Sequence, residues 1–113
     1  MFINPKDVGV VRVVNGLSKE DKNAIYYFLQ GAVYCWCSNK PNEWFSIRDL
    51  MGGTNFHWEE TPLMALYEKN EDINAAGIDA GWLLKKVIDK DKRHFKTKKE
   101  ELVRKYKWVG NED

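Results

Sequence analysis

Cysteine and proline are scarce in this 113-residue chain, which contains two cysteines and three prolines. Cys35 and Cys37 stand two residues apart, where a disulfide is geometrically poor, and no other cysteine is present to complete a disulfide framework. Zinc needs four converging ligands, usually in pairs of the CxxC type, and a two-residue spacing on a helix points the thiolates about 200° apart. We therefore predict two reduced thiols and no bound metal.

Long apolar runs are also lacking, and none approaches the ~18 residues that a membrane span requires. The first residues read MFINPKDVGVV, which is not the basic-then-apolar order of a signal peptide and is interrupted by Pro5 and Asp7. Together with the reduced thiols, these features predict a cytoplasmic protein that is not inserted in a membrane.

Complete catalytic motifs are missing as well. The chain contains no P-loop, dinucleotide-binding fingerprint, nucleophile elbow or HExxH motif. His57 lies beside Glu59 and Glu60, so a general acid–base site near His57 can be formulated. In a chain with 17 carboxylates, however, some lie near a histidine by chance. A small enzyme is therefore our third functional hypothesis, and we expect no cofactor.

The residues that are present favour a globular protein with many aromatic side chains. Apolar residues make up 43% of the chain and charged residues 31%, which predicts one globular domain over residues 1–113. Five Trp, five Tyr and five Phe are more large rings than one small core readily holds. We therefore expect some of these rings at the surface.

The stretch from residue 18 to residue 37 carries the clearest structural signal. Ser18 and Asp21 approximate a capping box at its start. Apolar residues then recur at helical period, which predicts a central helix over 18–37. Its predicted buried residues are Ile25, Phe28, Leu29, Ala32 and Trp36.

The other predicted elements complete a mainly α fold with minor β structure. The predicted fold has four principal helices around the central helix 18–37, with one or two short strands. The predicted elements are a strand at 8–14, an extended piece at 43–45, a helix at 47–51, a helix opened by Thr61-Pro62, a helix at 72–89 and a last helix from Thr97 to Gly110.

Glycines bear on the helix predicted at 72–89. Gly77 and Gly81 lie one turn apart and predict a flat strip that packs close to the central helix, with Gly31 as its counterpart. The alternative is a break at Gly77 and a second start at Asp79.

An aromatic group between the predicted helices supports our leading functional hypothesis. Trp44, Phe45, Phe56 and Trp58, with His57 among them, bracket a glycine turn. Exposed rings of this kind mark protein interfaces and ligand pockets. We expect an interaction module that forms a dimer, or binds another protein, through this group. The alternative is that these rings cover one end of the core.

Basic residues are concentrated in residues 85–107, which carry 11 basic and 4 acidic side chains, a net charge of +7. The second hypothesis is nucleic-acid binding through this segment. The candidate phosphate contacts are Lys92, Arg93, Lys96, Lys98, Lys99 and Arg104. The acidic residues in the segment and the overall pI of ≈ 7.7 weaken this hypothesis.

The order of predicted helices is also compatible with a helix-turn-helix or winged-helix domain. In that case Ile47–Met51 is the supporting helix, and the segment after Thr54 is the recognition helix. The carboxylates of Glu59, Glu60 and Glu68 would repel DNA there.

Overall fold

The computed structural model of this protein describes residues 1–53 and 57–110. About half of these residues are helical, and the rest include one two-stranded antiparallel sheet. This confirms a mainly α protein with a small β part. The elements in the described residues are α1 (Lys19–Asn39), α2 (Ile47–Leu50), α3 (Met64–Asn70), α4 (Ile73–Lys90), β1 (His94–Glu100) and β2 (Val103–Gly110), with a 3-10 turn at Pro5–Asp7. No described helix combines the length and the apolar character of a membrane span.

Helix α1 begins where its cap residue predicts. The Ser18 hydroxyl oxygen accepts a hydrogen bond from the Asp21 amide at 3.0 Å, which satisfies one unpaired donor of the first turn. The buried residues recur every four positions: Ile25, Leu29, Val33 and Cys37. Phe28, Ala32 and Trp36 are half-buried. The prediction that these three are buried is corrected: Phe28 and Trp36 pack against the core while remaining partly exposed.

The middle of the chain contains two short helices. Ser46 and Asp49 form a complete capping box at the start of α2, with the Asp49 carboxylate accepting from the Ser46 amide at 2.8 Å. The helix predicted to open at Thr61-Pro62 begins at Met64 instead. The Thr61 hydroxyl donates to the Trp58 carbonyl at 2.9 Å, so it closes a turn and does not cap the helix.

Helix α4 is continuous, as the main interpretation of its sequence predicts. The Asp72 side chain caps its start by accepting from the Asn74 amide at 3.2 Å. Its core face carries Ala76, Ala80, Leu84, Val87 and Ile88. The glycine strip is a wrong prediction: a Cβ added at any of the three glycines, Gly31, Gly77 or Gly81, would meet no described atom within 4 Å beyond the adjoining backbone of its own helix. The alanines Ala76 and Ala80 of α4 are buried in the core instead.

The largest error of the prediction lies in the C-terminal region. Residues 97–110 do not form a helix but most of an antiparallel hairpin, in which β1 pairs with β2. Phe95 and Thr97 alternate with lysines on β1, and Tyr106 alternates with lysines on β2. This two-residue alternation of buried residues and lysines is the pattern of a half-buried strand. Glu101 takes a φ of +58° in the two-residue connection, a conformation in which glycine or asparagine is more usual.

Two short segments extend this sheet at its edges. Phe45 pairs with Tyr106 in antiparallel fashion, and Phe2 pairs with Phe95 in parallel fashion. The extended piece predicted at 43–45 therefore lies against the hairpin.

The strand predicted at 8–14 is a wrong prediction, since these residues contain no strand. Gly9 has a φ of +67°, which interrupts an extended run, and the Val10 carbonyl accepts a hydrogen bond from Lys85 Nζ at 2.7 Å. The segment crosses α4 as irregular chain, with Val8 and Val14 buried and Val13 exposed.

Candidate nucleic-acid interface

Four lysines project from the side of the hairpin that faces away from the core. The residues that alternate with them include Phe95, Thr97 and Tyr106, which are all buried, so the pleat turns the lysines outward. Each of the two outward-facing lysines of β1 lies directly opposite a lysine of β2. We refer to these residues as the lysine face: Lys96 opposite Lys107, and Lys98 opposite Lys105.

Trp44 lies at one edge of the lysine face. Its neighbour Phe45 is fully buried and exchanges two hydrogen bonds of 2.8 Å with the Tyr106 backbone. Because side chains alternate along extended chain, Trp44 points to the opposite side. Lys98 Nζ lies 4.3 Å from the centroid of the half-buried indole, and Lys107 Nζ lies 5.9 Å from it. Cation–π contacts at exposed sites contribute ~0.5–1 kcal/mol, so a stronger partner for the ring can replace Lys98.

Glu100 is the acidic residue that pairs with the lysine face. Its two carboxylate oxygens lie 3.0 Å from Lys98 Nζ and 3.0 Å from Lys105 Nζ. The hydrogen bonds from Lys105 and Lys98 hold the pKa of the Glu100 carboxyl below its usual value. Within residues 1–53 and 57–110, Lys96 and Lys107 make no ion pair. The face therefore keeps a net positive charge.

The structure distributes the six predicted phosphate contacts over several places. Lys96 and Lys98 belong to the lysine face, and Lys92 is exposed in the connection between α4 and β1. Lys99 and Arg104 form an opposed pair close to the hairpin turn. Arg104 Nη1 donates to the Asp7 carbonyl at 2.8 Å, which ties that guanidinium to the N-terminal segment.

Arg93, the remaining predicted contact, is only 9% exposed. Its Nε and Nη2 donate to the two Asp91 carboxylate oxygens at 3.0 and 2.8 Å, and its guanidinium lies 3.9 Å from the centroid of the Tyr34 ring. Burial opposes ionisation of Asp91, but the hydrogen bonds from Arg93 outweigh it and lower the pKa of the Asp91 carboxyl. Arg93 therefore joins the end of α4 to α1 and is engaged within the protein.

Sequence reasoning left Lys105 and Lys107 out of the candidate contacts, although both lie in the predicted basic segment. The sequence pattern that could have identified them is the alternation in RKYKW, where Tyr106 separates the two lysines as in a strand with one buried face. Reading the same residues at helical period placed Lys105 and Lys107 near the end of a helix and hid their pairing with β1.

The predicted aromatic group contains a core residue, so its members do not form one continuous exposed patch. Phe45 is fully buried, with ring centroids 5.7 Å from Trp36, 6.4 Å from Phe95 and 5.9 Å from Tyr106. Trp58 is half-buried and packs against the core, and His57 is exposed. Phe56 lies outside the described residues. Among the described members of the group, Trp44 lies at the lysine face.

The two thiols differ in their surroundings. Cys35 is exposed and Cys37 is buried, and neither forms a disulfide. Burial raises the pKa of the Cys37 thiol, and Arg93 only partly opposes this effect. A raised pKa keeps the thiol protonated and poorly nucleophilic at neutral pH. Throughout the described part of the chain, no group of three or more His, Cys, Asp or Glu side chains is placed to hold a metal ion.

Comparisons with protein-family models, with curated proteins and with solved structures found no match to this chain.

Proposed function

We propose that this protein binds nucleic acid through the lysine face of its C-terminal hairpin. The observation that supports the proposal most strongly is the direct opposition of Lys96 to Lys107 and of Lys98 to Lys105. Like charges directly opposite each other destabilise a strand pair, so this arrangement opposes the stability of the hairpin. An anionic ligand that lies across both strands relieves the repulsion.

The strength and the salt dependence of such binding follow from the number of lysines. Four phosphate contacts on a single strand give a slope of about −2.8 in log K against log salt, and on a duplex about −3.6. The ion pairs of Glu100 with Lys98 and Lys105 compete with phosphate and make the measured slope shallower.

The order of elements supports a domain of the winged helix-turn-helix type. A first helix, an extended piece that pairs with the hairpin, the short helix α2, a pair of helices joined by a short turn and a final hairpin follow one another along the chain. The helix pair is α3 and α4, with Glu71 in the left-handed conformation between them. This pair takes the place of α2 and the segment after Thr54, part of which lies outside the described residues.

Charge favours the hairpin over α4 as the nucleic-acid contact. The turn and the first half of α4 present the carboxylates of Glu71, Asp72 and Asp79, and Asp79 is paired with Lys69 at 2.7 Å. A helix end of this charge repels phosphates. Residues 94–110 carry six basic and two acidic side chains, a net charge of +4.

We also propose a location in the cell and a central position for α1. We place the protein in the cytoplasm, on the basis of its two free thiols, as one domain in which α1 is the central one of the four described helices. Replacement of Leu29, described in the Discussion, tests the central position of α1.

Fluorescence anisotropy with a labelled 12-nucleotide oligothymidylate and a 12-base-pair duplex, between ~50 and ~200 mM salt, tests the proposal. We expect binding that weakens with salt. The double variant Lys96→Gln/Lys107→Gln should lower the slope for the single strand by about 1.4, because two contacts at ~0.7 each are lost. The control Lys19→Gln/Lys22→Gln removes the same charge from the start of α1 and should leave the slope unchanged.

Two results would contradict the proposal. One is equal slopes for the two double variants, which would place the contact away from the hairpin. The other is undetectable binding to both oligonucleotides at ~50 mM salt, where phosphate contacts are strongest. Binding to phosphatidylserine vesicles in that second case would identify the lysine face as a membrane-surface site instead.

Self-association through the aromatic group stays a prediction, and Trp44 and Trp58 are its half-buried members. The enzyme hypothesis, with its site near His57, also stays a prediction. A cleft of about 470 Å³ lies between the start of α1 and α3, and its lining includes Asp21 and Glu68 but not His57.

A further inference from the structure

Resting on the proposed function, we infer that the ligand of the lysine face is a single-stranded nucleic acid, one base of which stacks on the indole of Trp44. In the free protein the ammonium of Lys98 occupies that position, 4.3 Å from the ring centroid. Lys98 leaves the ring when a phosphate binds it, and the base takes its place.

The contact between Lys98 and Trp44 shows that the ring can be reached from the lysine face. The Lys98 side chain is 41% exposed, and its other partner is the exposed carboxylate of Glu100 at 3.0 Å. Neither contact belongs to the core, so Lys98 can turn from the ring to a phosphate without moving a strand. A base offers the indole a whole π-face, and stacking of this kind is stronger than a cation–π contact at an exposed site.

The position of Trp44 distinguishes a single strand from a duplex. A two-stranded ribbon can enter the major groove of a duplex, where its side chains meet base edges and phosphates. The faces of paired bases are covered by their neighbours in the stack, so the indole would have no ring to pack on. In a single strand the bases can unstack, and aromatic side chains of many binding proteins use their faces without preference for sequence.

The spacing of the lysines also fits an extended single strand of nucleic acid. Lysines two residues apart on one strand are separated by about 6.7 Å, roughly twice the ~3.4 Å axial rise per phosphate of one strand in B-DNA. A single strand can extend beyond its stacked rise and bring successive phosphates to successive lysines. Trp44, at the edge of the face beside Lys107, then meets a base turned away from these phosphates.

Three 12-unit probes test the inference in the same anisotropy assay: oligothymidylate, an abasic deoxyribose-phosphate strand and a duplex. The protein should bind oligothymidylate about 5- to 150-fold more tightly than the abasic strand, which is the range of one base–aromatic stack. Trp44→Leu should remove this preference and leave the salt slope unchanged. Trp82→Leu is the matched control, since Trp82 is also half-buried between two cations, Arg12 at 5.1 Å and Lys85 at 5.3 Å, but is carried by α4.

The outcomes separate the inference from the proposed function. Equal binding of oligothymidylate and the abasic strand, with a normal salt slope, would overturn base stacking and leave nucleic-acid binding in place. Tighter binding of the duplex than of oligothymidylate would also overturn the inference alone. An equal loss of base preference in Trp44→Leu and Trp82→Leu would refute a specific role for Trp44. If no probe is bound, the proposed function itself fails.

Discussion

Replacing Asp91 with asparagine is the sharpest test of how the hairpin is held to the helices. The Asp91 side chain is fully buried, and it binds the Arg93 guanidinium at two points and the Arg93 amide at 2.8 Å. Asp91→Asn keeps the shape but leaves a buried guanidinium without its counter-charge. Breaking a buried pair in this way destabilises a protein by about 3–5 kcal/mol, a large part of the 5–15 kcal/mol that a domain has in total.

Urea unfolding followed by tryptophan fluorescence at pH 7, 5 and 3 measures this effect. The pKa of Asp91 is lowered in the folded protein, so its stabilising contribution is present above the unfolded value of about 3.9 and is lost as the pH falls through the folded value. The difference in the free energy of unfolding between the parent and Asp91→Asn should therefore be greatest at pH 5 to 7 and smaller at pH 3.

A control variant at the protein surface completes the experiment. Glu100→Gln removes two exposed ion pairs and should leave the urea midpoint at its parental value. The reasoning is refuted if Asp91→Asn costs less than about 1 kcal/mol at pH 7, the range of a surface pair, or if the difference does not change with pH.

Three further predictions concern the core, the lysine face and the oligomeric state. Leu29→Ala should lower the free energy of unfolding by ~2–5 kcal/mol in urea, because Leu29 is fully buried, and parental stability would contradict the position given to α1. Glu100→Gln should tighten oligonucleotide binding at ~50 mM salt, because it frees Lys98 and Lys105, and weaker binding would contradict competition with phosphate. Sedimentation should give about twice the 13.2 kDa chain mass, and Trp58→Ser should shift this mass toward that of the monomer. A moderate interface is half-formed at ~1 µM, so a parent protein that is monomeric at ~100 µM would refute the dimer.

The helices could be predicted largely from local signals. Ser18, Ser46 and Asp72 each begin a helix because a short side-chain oxygen pairs with an unpaired amide of the first turn. The continuity of α4 across Gly77 and Gly81 follows from apolar residues on one face, whose burial outweighs the weak helix propensity of glycine.

The hairpin could not be predicted from the same signals. Lysine and glutamate are good helix formers, and Thr97 with Glu100 imitates a capping box. The pattern that favours a strand is the alternation of Phe95 and Tyr106 with lysines. It determines the structure only because both rings are buried in the core. Tertiary packing therefore overrides local propensity in this segment.

The candidate site could be predicted in its chemistry but not in its geometry. The basic segment was visible in the sequence, whereas the opposition of Lys96 to Lys107 depends on strand register. The contact of Arg93 with Tyr34 and the approach of Trp44 to Lys98 join residues that are far apart in the sequence. Neither contact leaves a local pattern.

A nuclear magnetic resonance titration of ¹⁵N-labelled protein with the 12-nucleotide oligothymidylate tests directly whether the lysine face binds nucleic acid. We predict that the shifting signals are the backbone amides of residues 96–107 and the indole N–H of Trp44, while the amides of residues 64–82 keep their positions. Shifts concentrated in α3 and the first half of α4, with the hairpin unchanged, would contradict binding through the lysine face.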